Sequence, residues 1–289
     1  MPDRMIQMDG VDLATEAFGD PTHEPVLLIM GMMSSMLWWP DEFCERLARR
    51  GRFVIRYDNR DTGLSTTWPA GSPGYTGAEM ADDAIRVLDG YGLTRAHVVG
   101  ISMGGALAQL ATLRHPDRVA SLTTISTSPL GEDSATLPGS NPDYLERSAG
   151  LDEPDWNDRT RVIDYLVENS RLTAGSAHPF DEARLRRLIG RDYDRANSFP
   201  SVTNHMRLSG GEVASGSLRT VSVPVLVIHG TEDPLFPIEH GIALSQAVSV
   251  STLVRLEGSG HELAEGDWDQ IITAIIAHTG NDGPDPGSN

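Results

Sequence analysis

The most conspicuous absence in this chain is lysine. All 23 basic residues among its 289 are arginine. A Schiff base, a pyridoxal phosphate linkage and the lysine of a phosphate-binding loop all need a lysine amine, so the sequence excludes these chemistries. Cysteine is nearly absent as well, since Cys44 stands alone. One cysteine excludes an internal disulfide and a cysteine-based metal site, and it fits a reducing cytoplasm.

The chain also lacks the features that would direct it to a membrane or to nucleic acid. No apolar stretch near the N-terminus has the length of a signal-peptide core, and no run approaches the length of a transmembrane helix. The formal net charge of −18 would repel a phosphate backbone. We therefore expect a cytoplasmic protein with no membrane partner and no nucleic-acid partner.

Cofactor signatures are missing too. The glycines form no dinucleotide-binding fingerprint, and no cluster of His, Asp and Glu has the spacing of zinc ligands. We expect neither a metal nor an organic cofactor. What the chain does have is enough apolar material for a large core, because 39% of its residues are hydrophobic.

The most informative segment that is present is residues 100–104, with the sequence Gly-Ile-Ser-Met-Gly. It follows a short valine-containing run at residues 96–99 and opens a segment whose apolar residues recur every three or four positions. This context predicts a strand, a tight glycine-lined turn and a helix, which would present Ser102 at the carboxyl edge of a sheet as a nucleophile. An ordinary turn is the alternative interpretation.

A serine nucleophile needs a base and a third group that orients the base. Asp233 follows a buried strand predicted at residues 223–229, and His261 follows a last strand predicted at residues 251–256. Binding sites of open α/β sheets lie outside the carboxyl ends of the strands, so we expect Ser102, Asp233 and His261 to converge there.

Alternatives remain for two of these roles. Glu232 could supply the acid in place of Asp233, although we favour Asp233. His229 is a second histidine near the predicted site, but its position at a strand end is better explained by local packing. We therefore keep His261 as the predicted base.

The oxyanion formed during acyl transfer needs main-chain donors. The N–H of Met103, directly after the serine, is one candidate. The N–H of Met32, in the loop after the strand predicted at residues 26–30, is the other. We predict an oxyanion hole made of these two groups.

Four stretches resemble the α/β-hydrolase family. They are residues 28–31 (LIMG), 39–43 (WPDEF), 55–63 (IRYDNRDTG) and 96–104 (AHVVGISMG). The resemblance extends from about residue 11 to residue 277, and within the family the chain is most similar to the anthracycline methylesterases of the aclacinomycin type. One departure is Met30, where many hydrolases have a histidine. We interpret Asp58, Arg60 and Asp61 as a structural turn that resembles the family's ordering loop, not as a metal site.

The alternation of strands and helices predicts an α/β fold with a mostly parallel, doubly wound sheet. The resemblance implies, in addition, a helical cap inserted before the strand that carries the acid. We expect the core, the cap and a disordered tail to occupy, in that order, residues 1–128 with 221–279, residues 129–220 and residues 280–289.

The expected activity is that of a serine hydrolase that cleaves a small-molecule carboxylic ester through an acyl-enzyme. The resemblance implies a methyl ester of a bulky aromatic or polyketide-like compound. By residue type and rough position, the apolar pocket is predicted to contain Met33, Met36, Trp38, Trp39, Met206 and Phe236. A lactonase, an iminopeptidase or a cofactor-free haloperoxidase would use the same three polar residues, and a ligand-binding protein on a hydrolase scaffold is an alternative of another class. The oligomeric state stays open.

Overall fold

Short runs rich in valine, leucine and isoleucine form the strands of this chain, and segments with helical periodicity form its helices. The structure is a computed structural model, which describes residues 4–131, 136–210 and 217–280. Within these ranges the strands are β1 (Arg4–Met8), β2 (Val11–Phe18), β3 (Glu24–Ile29), β4 (Arg52–Tyr57), β5 (Ala96–Ile101), β6 (Val119–Ile125), β7 (Val225–Gly230) and β8 (Ser251–Leu256). The α-helices are α1 (Asp41–Arg49), α2 (Gly77–Gly90), α3 (Met103–Arg114), α4 (Pro142–Ala149), α5 (Arg159–Thr173), α6 (Glu182–Arg195), α7 (Ile238–Ala247) and α8 (Trp268–Thr279). The 3₁₀ helices are Met36–Trp38, Pro116–Arg118, Phe199–Arg207, Ser217–Thr220 and Glu265–Asp267.

The described strands form one sheet in the order β1-β2-β4-β3-β5-β6-β7-β8. The β1–β2 and β2–β4 pairs are antiparallel, and the other pairs are parallel. Strands β4, β5 and β7 are buried along their whole length, as expected of parallel strands that are covered on both faces. The predicted mostly parallel sheet is confirmed, and the carboxyl ends of β3, β5, β7 and β8 lie along one edge.

Alternate side chains of the sheet pack against opposite layers of helices. Leu27 and Ile29 of β3 belong to the apolar cluster that includes α2, α3 and α7. Val26 and Leu28 belong to the cluster that includes α1 and α8. This packing on both faces makes the sheet edge a firmly supported platform for the loops that follow the strands.

A helical region stands between β6 and β7, where the cap was predicted. It contains α4, α5, α6 and the 3₁₀ helix Phe199–Arg207. Helices α5 and α6 pack on each other through Ile163, Val167 and Ile189. We call residues 136–210 the cap; the predicted limits at residues 129 and 220 stay predictions.

The helix ends follow local capping chemistry. The Asp181 side chain accepts a hydrogen bond of 2.9 Å from the Arg184 N–H at the start of α6. A reciprocal capping box between Thr76 and Glu79 begins α2. The tail predicted at residues 280–289 lies, after Gly280, outside the described residues. No helix in the described part of the chain is long and apolar enough to span a membrane.

Two glycines allow α3 to approach β3 and β5 closely. A Cβ atom on Gly104 would collide with the main-chain carbonyl of Ile29, and a Cβ atom on Gly100 would collide with the main chain of Gly104. The obstructing atoms are main-chain atoms of the sheet and of the helix, which cannot move aside without breaking hydrogen bonds. The helix therefore begins directly against the sheet edge.

We expect Gly104→Ala to lower the free energy of unfolding by about 2 to 3 kcal/mol, because its Cβ would overpack the main chain. Gly139→Ala is the matched control, since a Cβ there has no heavy atom within 4 Å. It should change stability by less than about 0.5 kcal/mol. Urea unfolding followed by circular dichroism measures both variants. Equal stability of the two would contradict the close approach.

Candidate active site

Ser102 occupies the turn between β5 and α3. Its main chain has φ 54° and ψ −122°, a conformation that residues other than glycine rarely adopt. The turn is fastened to β6 and its loop: the Ser102 N–H donates to the Ile125 carbonyl oxygen at 2.9 Å, and the Ser102 carbonyl oxygen accepts from Thr127 Oγ1 at 2.9 Å. The serine therefore stands at the carboxyl edge of the sheet, as the sequence predicted.

Two hydrogen bonds join this serine to residues from the last two strands. His261 Nε2 lies 2.9 Å from Ser102 Oγ, and His261 Nδ1 lies 2.7 Å from Asp233 Oδ2. Asp233 Oδ1 accepts from the N–H groups of Leu235 at 2.9 Å and Phe236 at 3.0 Å. The structure thus brings together three side chains that are far apart in the sequence.

The partners of His261 determine where its proton lies. The buried Asp233 carboxylate can only accept, so Nδ1 donates to it and the neutral ring has a free lone pair on Nε2. That nitrogen can then accept from the Ser102 hydroxyl. Two main-chain N–H groups bind the other oxygen of Asp233 and replace the water that burial removes.

The alternative residues bind other groups. The Glu232 carboxylate accepts from the N–H and the hydroxyl of Ser176, at 2.9 Å and 2.8 Å, and so ties a cap loop to the sheet edge. His229 is buried, and its Nε2 donates to the Phe236 carbonyl oxygen at 2.7 Å. Burial lowers the pKa of His229. Among the described residues, Ser102 Oγ has its hydrogen bond with His261 and none with Glu232 or His229, so Asp233 and His261 fit the predicted roles better.

Contacts with the cap hold the loop that carries His261. The His261 N–H donates to the Thr173 carbonyl oxygen at 2.8 Å. The neighbouring Glu262 carboxylate accepts from the Gly175 N–H at 3.1 Å. Ser259 of the same loop donates from its hydroxyl to Asp267 at 2.6 Å. The direction of the His261 ring therefore depends on the end of α5.

The loop after β3 passes beside the serine hydroxyl. A Cβ atom built on Gly31 would lie only 3.9 Å from Ser102 Oγ, so the main chain of this loop lies close to the hydroxyl. Among the described residues, the N–H of Met32 and the N–H of Met103 have no hydrogen-bond acceptor. Both of the predicted donors are therefore free to bind another oxygen.

Two of the six predicted pocket residues are core residues. Met36 and Trp39 have no exposed surface, and the Trp39 ring packs 5.5 Å from the Phe43 ring inside the α1 and α8 layer. Both side chains are closed off from solvent, and the pocket role of Met36 and Trp39 stays a prediction. Trp38 is half-buried, and its indole N–H donates to Asp192 of α6 at 2.7 Å.

The other predicted pocket residues are near the site or exposed. The Phe236 ring lies 5.7 Å from the His261 ring. Met33 packs against an apolar cluster of the cap that includes Phe199. Met206 is 56% exposed. The pocket roles of these three residues and of Trp38 stay predictions.

The charged turn after β4 is a structural junction. Arg60 pairs with Asp83 of α2 at 2.6 Å, and Asp61 accepts from the Tyr75 hydroxyl at 2.6 Å. Asn59 of the same turn donates to the Met30 carbonyl oxygen at 3.0 Å, at the start of the loop after β3. In the described part of the chain, no group of His, Cys, Asp and Glu is arranged to hold a metal ion.

Asp58 of this turn connects the core to the cap. Its carboxylate accepts from the N–H groups of Met36 and Leu64, both at 2.9 Å, and from the Arg195 guanidinium of α6 at 2.6 Å. Burial raises the pKa of Asp58 to about 6, although Arg195 and the two N–H groups oppose the shift. The carboxylate is thus a costly group that these donors hold in place.

Neither Asp192 nor Arg195 of α6 was predicted from the sequence. Asp192 lies on the same face of α6 as Leu185 and Ile189, at the spacing i, i+4 and i+7. A carboxylate in an apolar stripe must find a buried partner, and this signal could have identified it. Burial raises the pKa of Asp192. The hydrogen bond from the Trp38 indole stabilises the carboxylate and opposes this rise. No comparable signal marks Arg195.

A serine at a strand-to-helix turn, with a histidine and an acid at the same edge of a mostly parallel sheet, is typical of the α/β hydrolases. A family model supports this class. The alpha/beta hydrolase fold model matches residues 24–266, and the chain belongs to this family.

Among the chain's relatives is the rhodomycin D methylesterase DauP of Streptomyces sp. (strain C5), 36% identical over 96% of this chain and 98% of that protein. DnrP of Streptomyces peucetius, also a rhodomycin D methylesterase, is 37% identical over the same shares of both chains. A solved esterase, RhEst1 from Rhodococcus sp. ECU1013, has a TM-score of 0.78 at 22% identity, covering 98% of this chain and 100% of that one. The predicted family and the predicted likeness to methylesterases are confirmed.

The raised pKa of Asp58 predicts how stability depends on pH. A carboxyl with a pKa of about 6 in the folded chain and about 4 in the unfolded chain binds more protons when folded, so its contribution to stability falls as pH rises between these values. We expect the difference in unfolding free energy between wild type and Asp58→Asn to fall by about 2 to 3 kcal/mol from pH 4 to pH 7. Urea unfolding at a series of pH values measures it. A difference that rises with pH would contradict the assignment.

Proposed function

We propose that this chain hydrolyses a carboxylic ester with Ser102 as nucleophile, His261 as base and Asp233 as the group that orients the base. The observation that carries the proposal is the continuous hydrogen-bonded chain from Asp233 through His261 to Ser102 Oγ. A hydroxyl becomes a nucleophile at neutral pH only when such a base removes its proton. Membership of the α/β-hydrolase family supports the same chemistry.

In the acylation step, Ser102 Oγ attacks the carbonyl carbon of the ester while its proton moves to His261 Nε2. The Asp233 carboxylate stabilises the imidazolium that results, and it keeps the ring in the required direction. The carbonyl oxygen becomes an oxyanion that accepts from the N–H groups of Met103 and Met32. When the bond between the acyl carbon and the alcohol oxygen breaks, His261 gives its proton to the departing alcohol.

In the deacylation step, water attacks the acyl carbon and transfers a proton to His261. The bond between the acyl carbon and Ser102 Oγ then breaks, and the proton returns from His261 to Ser102. The carboxylic acid leaves, and the enzyme regains its starting state. The sum of both steps is ester plus water to acid plus alcohol, with no cofactor needed.

We further propose that the substrate is a methyl ester of a bulky, aromatic small molecule. The names of the two Streptomyces relatives, both rhodomycin D methylesterases, support this substrate class. The cap supports it as well, since Trp156, Tyr193 and Phe199 form an aromatic cluster there. Met33, next to the proposed oxyanion donor, packs against this cluster. Flat apolar ligands bind well against such surfaces.

We expect the wild-type protein to hydrolyse methyl esters of polycyclic aromatic acids faster than lactones or prolyl amides in a panel at equal concentration. Ser102→Ala should lower kcat on the best ester by about 10⁴-fold or more, because the nucleophile is absent. An organophosphonate should modify the wild-type protein at Ser102, which mass spectrometry of the digested protein would locate.

Full activity of Ser102→Ala would contradict the mechanism. A faster rate on lactones or prolyl amides would leave the mechanism intact and change the substrate class. Tight binding of the aromatic ester without release of acid over hours would instead indicate a ligand-binding protein.

Two neighbouring carboxylates offer a matched test of the acid. Asp233→Asn should lower kcat by about 10³- to 10⁴-fold, because the amide favours the wrong tautomer of His261. Glu232→Gln should change kcat by less than about fivefold, since Glu232 contacts Ser176 and not the histidine. Steady-state kinetics of both variants on one ester decide the assignment, and the reverse order of effects would move the role to Glu232.

A further inference from the structure

The ring of His205 bridges the two loops that flank the proposed oxyanion site. His205 belongs to the cap, on the 3₁₀ helix Phe199–Arg207, and only 3% of it is exposed. Its Nδ1 lies 3.0 Å from the Met33 nitrogen, and its Nε2 lies 2.7 Å from the Arg60 carbonyl oxygen. One side chain of the cap thus binds the main chain of the loop after β3 and of the loop after β4.

These partners admit one protonation state of the ring. A main-chain N–H only donates and a carbonyl only accepts, so both bonds form together when Nδ1 is unprotonated and Nε2 carries the proton. A charged ring would turn a second N–H toward the Met33 N–H and lose that bond. Burial lowers the pKa of His205, which favours the neutral ring at neutral pH.

The charged groups around the ring are bound to other partners. The Arg60 guanidinium pairs with Asp83 at 2.6 Å. The Asp61 carboxylate, whose charge opposes the lowering of the His205 pKa, accepts from Asn204 Nδ2 at 2.9 Å. Within the described ranges, no carboxylate forms an ion pair with His205. The two main-chain groups are therefore the polar contacts that give the ring its orientation.

The backbone at Met33 needs such a contact. Met33 has a φ of 62°, in the left-handed region that residues other than glycine, asparagine and aspartate seldom adopt. A residue persists in this region when its surroundings hold the main chain there. The group held by His205 is the Met33 N–H, one residue after the N–H of Met32 that we assign to the oxyanion.

We infer that His205 is a positioning residue for ester hydrolysis: by accepting a hydrogen bond from the Met33 N–H, it directs the Met32 N–H toward the oxyanion. This inference rests on the proposed function. Turnover then depends on the ability of His205 Nδ1 to accept a hydrogen bond. The cap supplies this acceptor and so forms part of the oxyanion site as well as covering it.

The variants His205→Asn and His205→Gln separate the two ring nitrogens. The amide oxygen of asparagine stands near the position of Nδ1 and can accept from Met33, whereas the amide nitrogen of glutamine stands near the position of Nε2 and can only donate to Arg60. We expect glutamine to lower kcat about 10- to 100-fold with KM within about threefold, and asparagine to keep kcat within about fivefold of wild type.

The matched control is His278→Gln, which replaces a half-buried histidine elsewhere in the fold. His278 Nε2 lies 3.2 Å from the Leu122 carbonyl oxygen, and its contacts lie outside the proposed site. This variant should keep the wild-type kcat. The thermal unfolding midpoint of all three variants is measured alongside the kinetics. A variant that loses kcat but keeps the wild-type midpoint has lost the positioning of the oxyanion donor and not its fold. Equal losses for asparagine and glutamine at position 205, or no loss in either, would overturn the inference.

A second measurement does not need turnover. This measurement is an NMR spectrum of wild-type protein labelled with ¹⁵N-histidine. The ring signal of His205 is the one that is absent from the spectrum of His205→Asn. A neutral ring with the proton on Nε2 at pH 7 supports the inference, and a charged ring or a proton on Nδ1 overturns it. If the ring has the expected tautomer but no ester of the panel is hydrolysed, the proposed function fails while the bridge itself stands.

Discussion

The strained main-chain turn at Ser102 is the constraint that the surrounding sheet and helix must satisfy. Its φ of 54° and ψ of −122° cost about 1 to 3 kcal/mol for a residue with a side chain. Hydrogen bonds to β6 and its loop hold the turn, and the glycines on either side let α3 begin against the sheet. The helix start places the Met103 N–H beside the serine hydroxyl. Because the packed sheet supports this geometry, the proposed nucleophile and one proposed oxyanion donor are oriented before any substrate binds.

The joint between the cap and the core is built of buried polar groups. Asp58 binds Arg195, and Asp192 binds the indole of Trp38, so α6 is attached to the loops after β3 and β4 by charges that are costly to bury. Burying such groups adds little net stability, but each one demands its own partner at a fixed distance. The joint therefore selects one position of the cap relative to the serine. His205 adds a third attachment on the same side of the site.

Much of the fold and of the candidate site was predictable because its signals are local. The strand before Ser102 and the glycines around it identify the elbow, and the order of later strands identifies Asp233 and His261. The apolar pocket is harder to predict. Trp39 and Phe236 have the same apolar character, yet one lies in the core and the other beside the histidine. Residue type does not encode which side of a loop faces the sheet, since that depends on contacts between distant segments. The cap attachments depend on such contacts as well.

The strand order has a consequence for how this protein is made. His261 follows Ser102 by 159 residues, and it comes after β8 at the edge of the sheet. A ribosome synthesises β5 and Ser102 early, then the whole cap, and only then the strands that precede Asp233 and His261. A nascent or truncated chain that stops before β8 has Ser102 but lacks the proposed base, His261. Contacts between such distant segments also form slowly, so the cap emerges before the sheet that it covers is complete. The proposed triad is therefore complete only when the last strand has joined the sheet.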